Sequence, residues 1–245
     1  MIRHVKKGIK KFWATLTLLS LELFVVLVAF FIAMFVFVFL ARMIFLDNRQ
    51  DIDLNVFAFL ARHVNNVNTS VMQAFSFLGT HYFLIPANLI LVLYFLFIKK
   101  HRWYSIKAPV ISLSSMLLMF LLKQIFGRER PLMPLMDEAR GLSFPSGHAM
   151  MSFSFYGLII YLVWENVANK WTKGITMVFL LLLILFVGLS RVYLRVHYAS
   201  DVLAGFCLGF MWLILSLSIL NFMEKVSKKE VDQLVVDDVP ASTTL

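Results

Sequence analysis

The chain has 245 residues, of which 60% are hydrophobic and only 15% charged, against roughly 25% charged in a soluble domain. With the apolar residues gathered in blocks, that balance excludes a soluble globular enzyme and leaves room for one membrane domain and no second folded unit. The net charge of +9 does not imply nucleic acid, because the basic residues sit mostly at the ends of apolar blocks, and the single cysteine, Cys207, excludes an intramolecular disulfide or a cysteine metal cage.

Residues 1–17 form a basic segment carrying Arg3, Lys6, Lys7, Lys10 and Lys11. The first apolar block runs from about Leu18 to Phe45. It is too long for a signal peptide and no small-residue cleavage site follows it, so it reads as an uncleaved anchor. Residues 51–67 place Val56, Phe57, Leu60, Val64 and Val67 on one helical stripe. That pattern fits a short helix along the outer interface, with a partly packed loop as the alternative. Further spans follow over about Val71–Ile98, Ile106–Lys123, His148–Trp164, Gly174–Ser190 and Val202–Met223. The third to fifth fall short of the roughly 20 residues a spanning helix needs. Each abuts a polar residue, so their ends are expected to face a cavity rather than lipid. The predicted fold is therefore all-α, a polytopic bundle of six transmembrane helices over residues 18–223, with no internal repeat. The polar tail, 224–245, is expected to be cytoplasmic and disordered.

Six spans put both termini on one side of the membrane. Most of the lysines and arginines fall on that side, which places the termini in the cytoplasm. Three polar clusters then stand where the apolar blocks end. Lys123-Gln-Ile-Phe-Gly-Arg-Glu-Arg130-Pro131 leaves the third span, Pro145-Ser146-Gly147-His148 enters the fourth, and Ser190-Arg191 through His197 to Asp201 joins the fifth to the sixth. An odd span ends on the face where the next even span begins, so topology alone brings all three clusters together on the outer side.

Residue types indicate the chemistry. Lys123, Arg130 and Arg191 can neutralise a dianionic phosphoryl group. Ser146 and Gly147 precede a helix whose backbone N–H groups and dipole favour an anion. His197 and Asp201 are four apart and can face each other, so that the carboxylate holds one imidazole nitrogen protonated and the other is free to attack. His148 stands as the second histidine, suited to protonate a leaving group and later activate water. Singly each feature is ordinary: an interfacial cation usually snorkels, and Pro-Ser-Gly is a common turn. Together they supply complementary parts of one reaction on one face.

These clusters resemble the three-part signature of the type 2 phosphatidic acid phosphatase family: Lys, six residues, Arg-Pro; Pro-Ser-Gly-His; and Ser-Arg, five residues, His, three residues, Asp. Lys123, Arg130, Pro131, Pro145, Ser146, Gly147, His148, Ser190, Arg191, His197 and Asp201 meet every defined position. The resemblance implies a histidine phosphatase core in which His197 attacks phosphorus to give a phosphohistidine, oriented by Asp201, with His148 as acid and then base. Lys123, Arg130, Arg191, Ser146 and Gly147 would hold the phosphoryl oxygens. It also implies a mechanism without metal or other cofactor, in keeping with the lack of an Asp or Glu cluster near the motifs.

The expected activity is hydrolysis of a phosphate or diphosphate on a membrane lipid. Its partners are the lipid phosphate and the bilayer, with no nucleic acid and no obligate protein partner. The expected setting is a bacterial inner membrane. Phosphatidic acid, phosphatidylglycerol phosphate, a polyprenyl diphosphate and lipid A phosphates all fit. An outward site favours the last two, which bacteria dephosphorylate outside the cytoplasm. Transfer of the phosphoryl group to a second lipid is an alternative, and a non-catalytic lipid-binding or transport protein a weaker one. Outside the signature, Arg128, Arg140 and Arg195 read as raising the local potential, and Glu129 and Glu138 as solvated loop residues. Thr80 and His81 read as packing residues and Glu22 as paired or snorkelling. Asn68-Thr-Ser fits a glycosylation acceptor.

Overall fold

A computed structural model of the chain describes residues 2–132, 134, 135 and 141–237, with backbone alone for 2–20, 22 and 230–237. Glu138, Arg140, the Glu22 side chain and residues 238–245 lie outside what it describes. Eight α-helices follow one another in the described chain: α1 (Ile2–Phe45), α2 (Asp51–Ala61), α3 (Asn66–Phe77), α4 (His81–Leu93), α5 (Arg102–Phe126), α6 (Gly147–Asn166), α7 (Lys170–Tyr193) and α8 (Ala199–Asp237). Six segments are long and apolar enough to cross a bilayer, within α1, α4 with its π-helical extension to Ile98, α5, α6, α7 and α8.

Polar signals start and stop the helices where the sequence supplies them. Asn65 accepts from Asn68 N at 2.8 Å to cap α3, and Asn169 accepts from Trp171 N and Thr172 N to cap α7. Gly127 ends α5 in the left-handed conformation, φ 61°, which a residue without Cβ adopts at little cost. That turn aims Arg128 back towards the bundle.

Helix α6 is the centre, packing on α8, α7 and α5, while α1 lies outside along α8. Phe24, Phe31, Phe35 and Phe39 of α1 are exposed, as lipid-facing side chains should be. Its inner stripe meets Phe144, which is fully buried among Phe126, Phe45 and Phe37 at centroid distances of 4.9, 5.3 and 6.0 Å. This aromatic packing fixes the chain immediately before Pro145. Since lipid tails are as apolar as the side chains, close backbone approach and interhelical polar contacts matter more here than burial. At the end of the bundle remote from the motifs, Lys107 is buried and pairs with Glu224 at 2.8 Å.

Close approach is supplied by glycine. A Cβ on Gly205 of α8 would stand 2.7 Å from Ser146 O, and one on Gly209 2.8 Å from Met150 O. These two residues let α8 lie against the first turns of α6. Gly205→Val is expected to cost about 1–3 kcal/mol by overpacking and to displace Ser146 and His148. Gly174→Ala, with nothing within 4 Å of the new methyl group, serves as control. Thermal unfolding in detergent should drop for the first and not the second; equal midpoints would refute the packing role.

The helix boundaries depart from the sequence expectations. The second apolar block is two helices: α3 and α4 meet at a corner, Leu78–Thr80, where Gly79 and Thr80 N–H bond back to Ser76 and Phe77 carbonyls. The sequence marks this break by Gly79-Thr80-His81 alone, a stretch too short to interrupt an apolar block summed over about 20 residues. The polar tail does not begin at residue 224, since α8 continues to Asp237. Glu224, bonded to both Lys107 and Lys228 (2.7 Å), carries the helix past the end of the apolar block. Of the stripe expected to be helical over 51–67, Asp51–Ala61 forms α2, while Asn66 and Val67 already belong to α3.

Candidate active site

The three polar clusters meet at one end of the bundle, joined by backbone and side-chain bonds across long sequence separations. Ser146 N donates to Asp201 O at 3.0 Å, fastening the second cluster to the third. Arg130 Nη1 donates to Val196 O at 2.9 Å, fastening the first to the third. Lys123 Nζ donates to Leu142 O, and Ser143 N donates to Arg128 O at 2.7 Å. The segment before Pro145 is thereby clamped against the end of α5.

A cavity of about 580 Å³ opens among them, lined at its polar end by Lys123, Arg130, Gly147, His148, Arg191 and His197. Its other wall is apolar: Leu84 and Ile85 of α4, Met116, Met119 and Phe120 of α5, and Met151 of α6. One cavity therefore joins a cationic pole to a greasy flank, the shape of a phosphorylated amphiphile. His148 Nε2, Ser146 Oγ and Arg191 Nε are buried without a protein hydrogen-bond partner among the described residues. Buried polar atoms without partners are rare, and two of these belong to residues lining the cavity. The donor set is suited to an anion; among the described residues no three His, Cys, Asp or Glu gather as a metal site.

His197 is buried on the turn after α7, which Val196 N and His197 N close by donating to Arg191 O. Its Nδ1 lies 3.5 Å from Asp201 Oδ2 and 3.3 Å from Ser143 Oγ, leaving Nε2 as the free nitrogen. Burial pulls the imidazole down to about 3, against the opposing pull of Asp201. The ring is thus neutral, as a nitrogen nucleophile must be. Asp201 Oδ2 also accepts from Ser143 Oγ and from Tyr198 N at 2.9 Å.

All eight residues selected from the signature stand at this end of the bundle, and six of them line the cavity. Ser146 and Asp201 stand behind it. The structure also adds residues that the signature lacks. Arg128, read from sequence as background charge, is buried and spans two carboxylates, bonding Asp201 Oδ1 and Ser200 Oγ through Nη1 and Asp53 Oδ2 through Nη2. Asp53 is fully buried and accepts from Ser200 N and Oγ. The sequence held one sign of this: Asp53 extends the stripe Val56, Phe57, Leu60 by one turn, a carboxylate on the apolar face of α2. Ser76 receives Arg191 Nη1, a contact possible only because the α3–α4 corner folds α3 against α7.

Other residues outside the signature are placed differently from one another. His81, expected to pack, is exposed and lines the cavity, its ring centroid 4.0 Å from that of Tyr82. Glu129 is exposed, and Arg195 is half-buried in a left-handed turn, φ 54°. Asn68 lies within α3, its side-chain amide donating to His63 O at 2.9 Å.

The comparisons with known proteins agree with this geometry. The family model of the PAP2 superfamily matches residues 104–224, which contain all three clusters. Phosphatidylglycerophosphatase B of Bacillus subtilis (strain 168) is 34% identical over 161 residues, 64% of this chain and 76% of the relative. The crystal structure of a transmembrane PAP2-type phosphatidylglycerolphosphate phosphatase from Bacillus subtilis superposes with a TM-score of 0.71 at 29% identity, covering 79% of this chain and 95% of that one. LpxE from Aquifex aeolicus gives 0.52 at 25% identity, covering 67% and 94%. With a full set of motif residues around one cavity and a relative matched over three quarters of its length, the chain belongs to the PAP2 superfamily, the type 2 phosphatidic acid phosphatases.

Proposed function

We propose that this integral membrane protein is a lipid phosphatase that works through a phosphohistidine on His197. The observation that carries the reading is the single cavity whose polar end holds two histidines and three cations and whose flank is apolar. A phosphomonoester enters with its oxygens towards Lys123, Arg130, Arg191 and the N–H groups at the start of α6. His197 Nε2 attacks phosphorus, the N–P bond forms and the P–O bond to the lipid breaks. Asp201 steadies the positive charge that grows on the ring. His148 gives its proton to the departing oxygen, then takes one from a water that attacks the phosphohistidine, releasing phosphate. Every group needed is a side chain or backbone N–H of this chain, so no metal is assigned a role.

The substrate is proposed to be a lipid phosphomonoester, with phosphatidylglycerol phosphate first, because the Bacillus subtilis relative is named for it. The basic residues near the chain termini support a cytoplasmic location for both ends and an outward-facing site in a bacterial inner membrane. The test is phosphate release by purified protein, in the presence of a chelator, from a panel of phosphatidylglycerol phosphate, phosphatidic acid, a polyprenyl diphosphate and lipid A. Release from one class names the substrate and supports hydrolysis. A folded protein that releases no phosphate but moves the phosphoryl group onto a second lipid acceptor would instead be a phosphotransferase, and one that does neither with any lipid would defeat the proposal.

A further inference from the structure

The catalytic pair His197–Asp201 is backed by a second buried carboxylate. Asp201 uses Oδ2 towards His197, Ser143 and Tyr198 N, and Oδ1 towards Arg128. Were Arg128 paired with Asp201 alone, its charge would cancel the carboxylate just where a positive imidazole must form. It is not alone. Asp53, wholly buried on α2, bonds the other nitrogen of the same guanidinium at 2.9 Å. Asp53 is itself held by Ser200 N at 2.9 Å and Ser200 Oγ at 2.6 Å, on the residue next to Asp201. The guanidinium also lies over the Tyr198 ring at 3.9 Å, which fixes its plane.

We propose that Asp53 is a positioning residue for the reaction: it takes up the charge of Arg128, so that Asp201 keeps a net negative charge to stabilise the phosphoimidazolium on His197. Two carboxylates and one guanidinium carry a net charge of minus one, and a neutral His197 leaves it so. When the ring becomes positive on phosphorylation, the buried cluster becomes neutral overall. Without Asp53 the cluster would start neutral and end positive, in a region where charges are weakly screened. The same bridge explains why an interfacial helix remote in sequence carries a buried acid, since Asp53 ties α2 to the turn that presents His197. The cations Lys123, Arg130 and Arg191 also face this turn, and all three raise the need for a compensating negative charge.

This inference rests on His197 being the nucleophile, so His197→Ala is assayed beside it. In Asp53→Asn, kcat should fall on the order of tenfold to a hundredfold with KM changed by less than about threefold, because the cavity cations that bind phosphate are untouched. The deciding variant is Asp53→Asn with Arg128→Gln, which restores the net charge of minus one. It should regain most of the kcat lost in Asp53→Asn, whereas a network that only braces the fold would be weakened further by the second change. A double variant as slow as, or slower than, the single one overturns the proposal, and so does Asp53→Asn with unaltered kcat. If the single variant does not accumulate as folded protein, the double against the native protein decides: folded and within about tenfold in kcat supports the proposal. A folded but inactive double variant, or one that does not fold, overturns it and leaves a structural brace. Activity retained by His197→Ala would instead mean that the site reading itself had failed.

Discussion

His197→Ala is expected to abolish phosphate release, by roughly 10⁴-fold or more, if His197 is the proposed nucleophile. The ring is buried, neutral and held by Asp201 and Ser143 through one nitrogen, so no neighbouring group can substitute for the other. His148 and His81 also line the cavity, but among the described residues neither is paired with a carboxylate as His197 is with Asp201. Incubation with substrate labelled in phosphorus should mark the native protein with an acid-labile, base-stable phosphate and leave the variant unlabelled. A variant retaining a tenth of the native rate would refute nucleophilic catalysis at this position.

His148→Ala separates the two halves of the reaction. With a lipid monoester, whose alkoxide leaves poorly, the rate should fall by about 10²–10⁴-fold because the general acid is gone. An aryl phosphate needs no such acid. With that substrate the variant should release about one equivalent of phenol per protein in a rapid burst and then stall, because the base that activates water is gone as well. The phosphohistidine accumulates in the stalled protein. The position of His148 is held from behind: a Cβ on Gly79 at the α3–α4 corner would approach its ring at 3.1 Å, and the Nε2 atom has no protein partner among the described residues. A variant that turns over the aryl phosphate at the native rate, without a burst and stall, would show that His148 does not activate the water.

The cationic groups differ in how they depend on the fold. Arg191 reaches Ser76 across the α3–α4 corner, and Arg130 is tied to Val196 O and Gly141 O. Both are therefore pre-set before substrate arrives, which keeps the reorganisation needed at the moment of reaction small. Arg128 is different, since its nitrogens are committed to carboxylates and a serine and none lines the cavity. Three arginines close together in sequence or space thus divide into two that line the cavity and one that is bonded to Asp201 and Asp53 behind it.

The sequence by itself determined the six spans, the common end at which the three clusters meet, and the eight signature residues proposed for the site. Those features are local: hydropathy is summed within one helix, motif spacing lies within one turn or loop, and the parity of spans needs no side-chain detail. Only the tertiary structure decided that the second apolar block breaks at Leu78–Thr80, that α8 runs on to Asp237, and that Arg128 binds Asp53 and Asp201 together. Asp53 lies 147 positions before Ser200 in the chain, and no property of either residue alone marks them as partners. A carboxylate on an interfacial helix looks like a solvated charge until the packing of α2 against α7 and α8 removes water from it. Burial then makes a charged partner obligatory, and it is the Arg128 guanidinium, bonded also to Asp201, that meets the requirement.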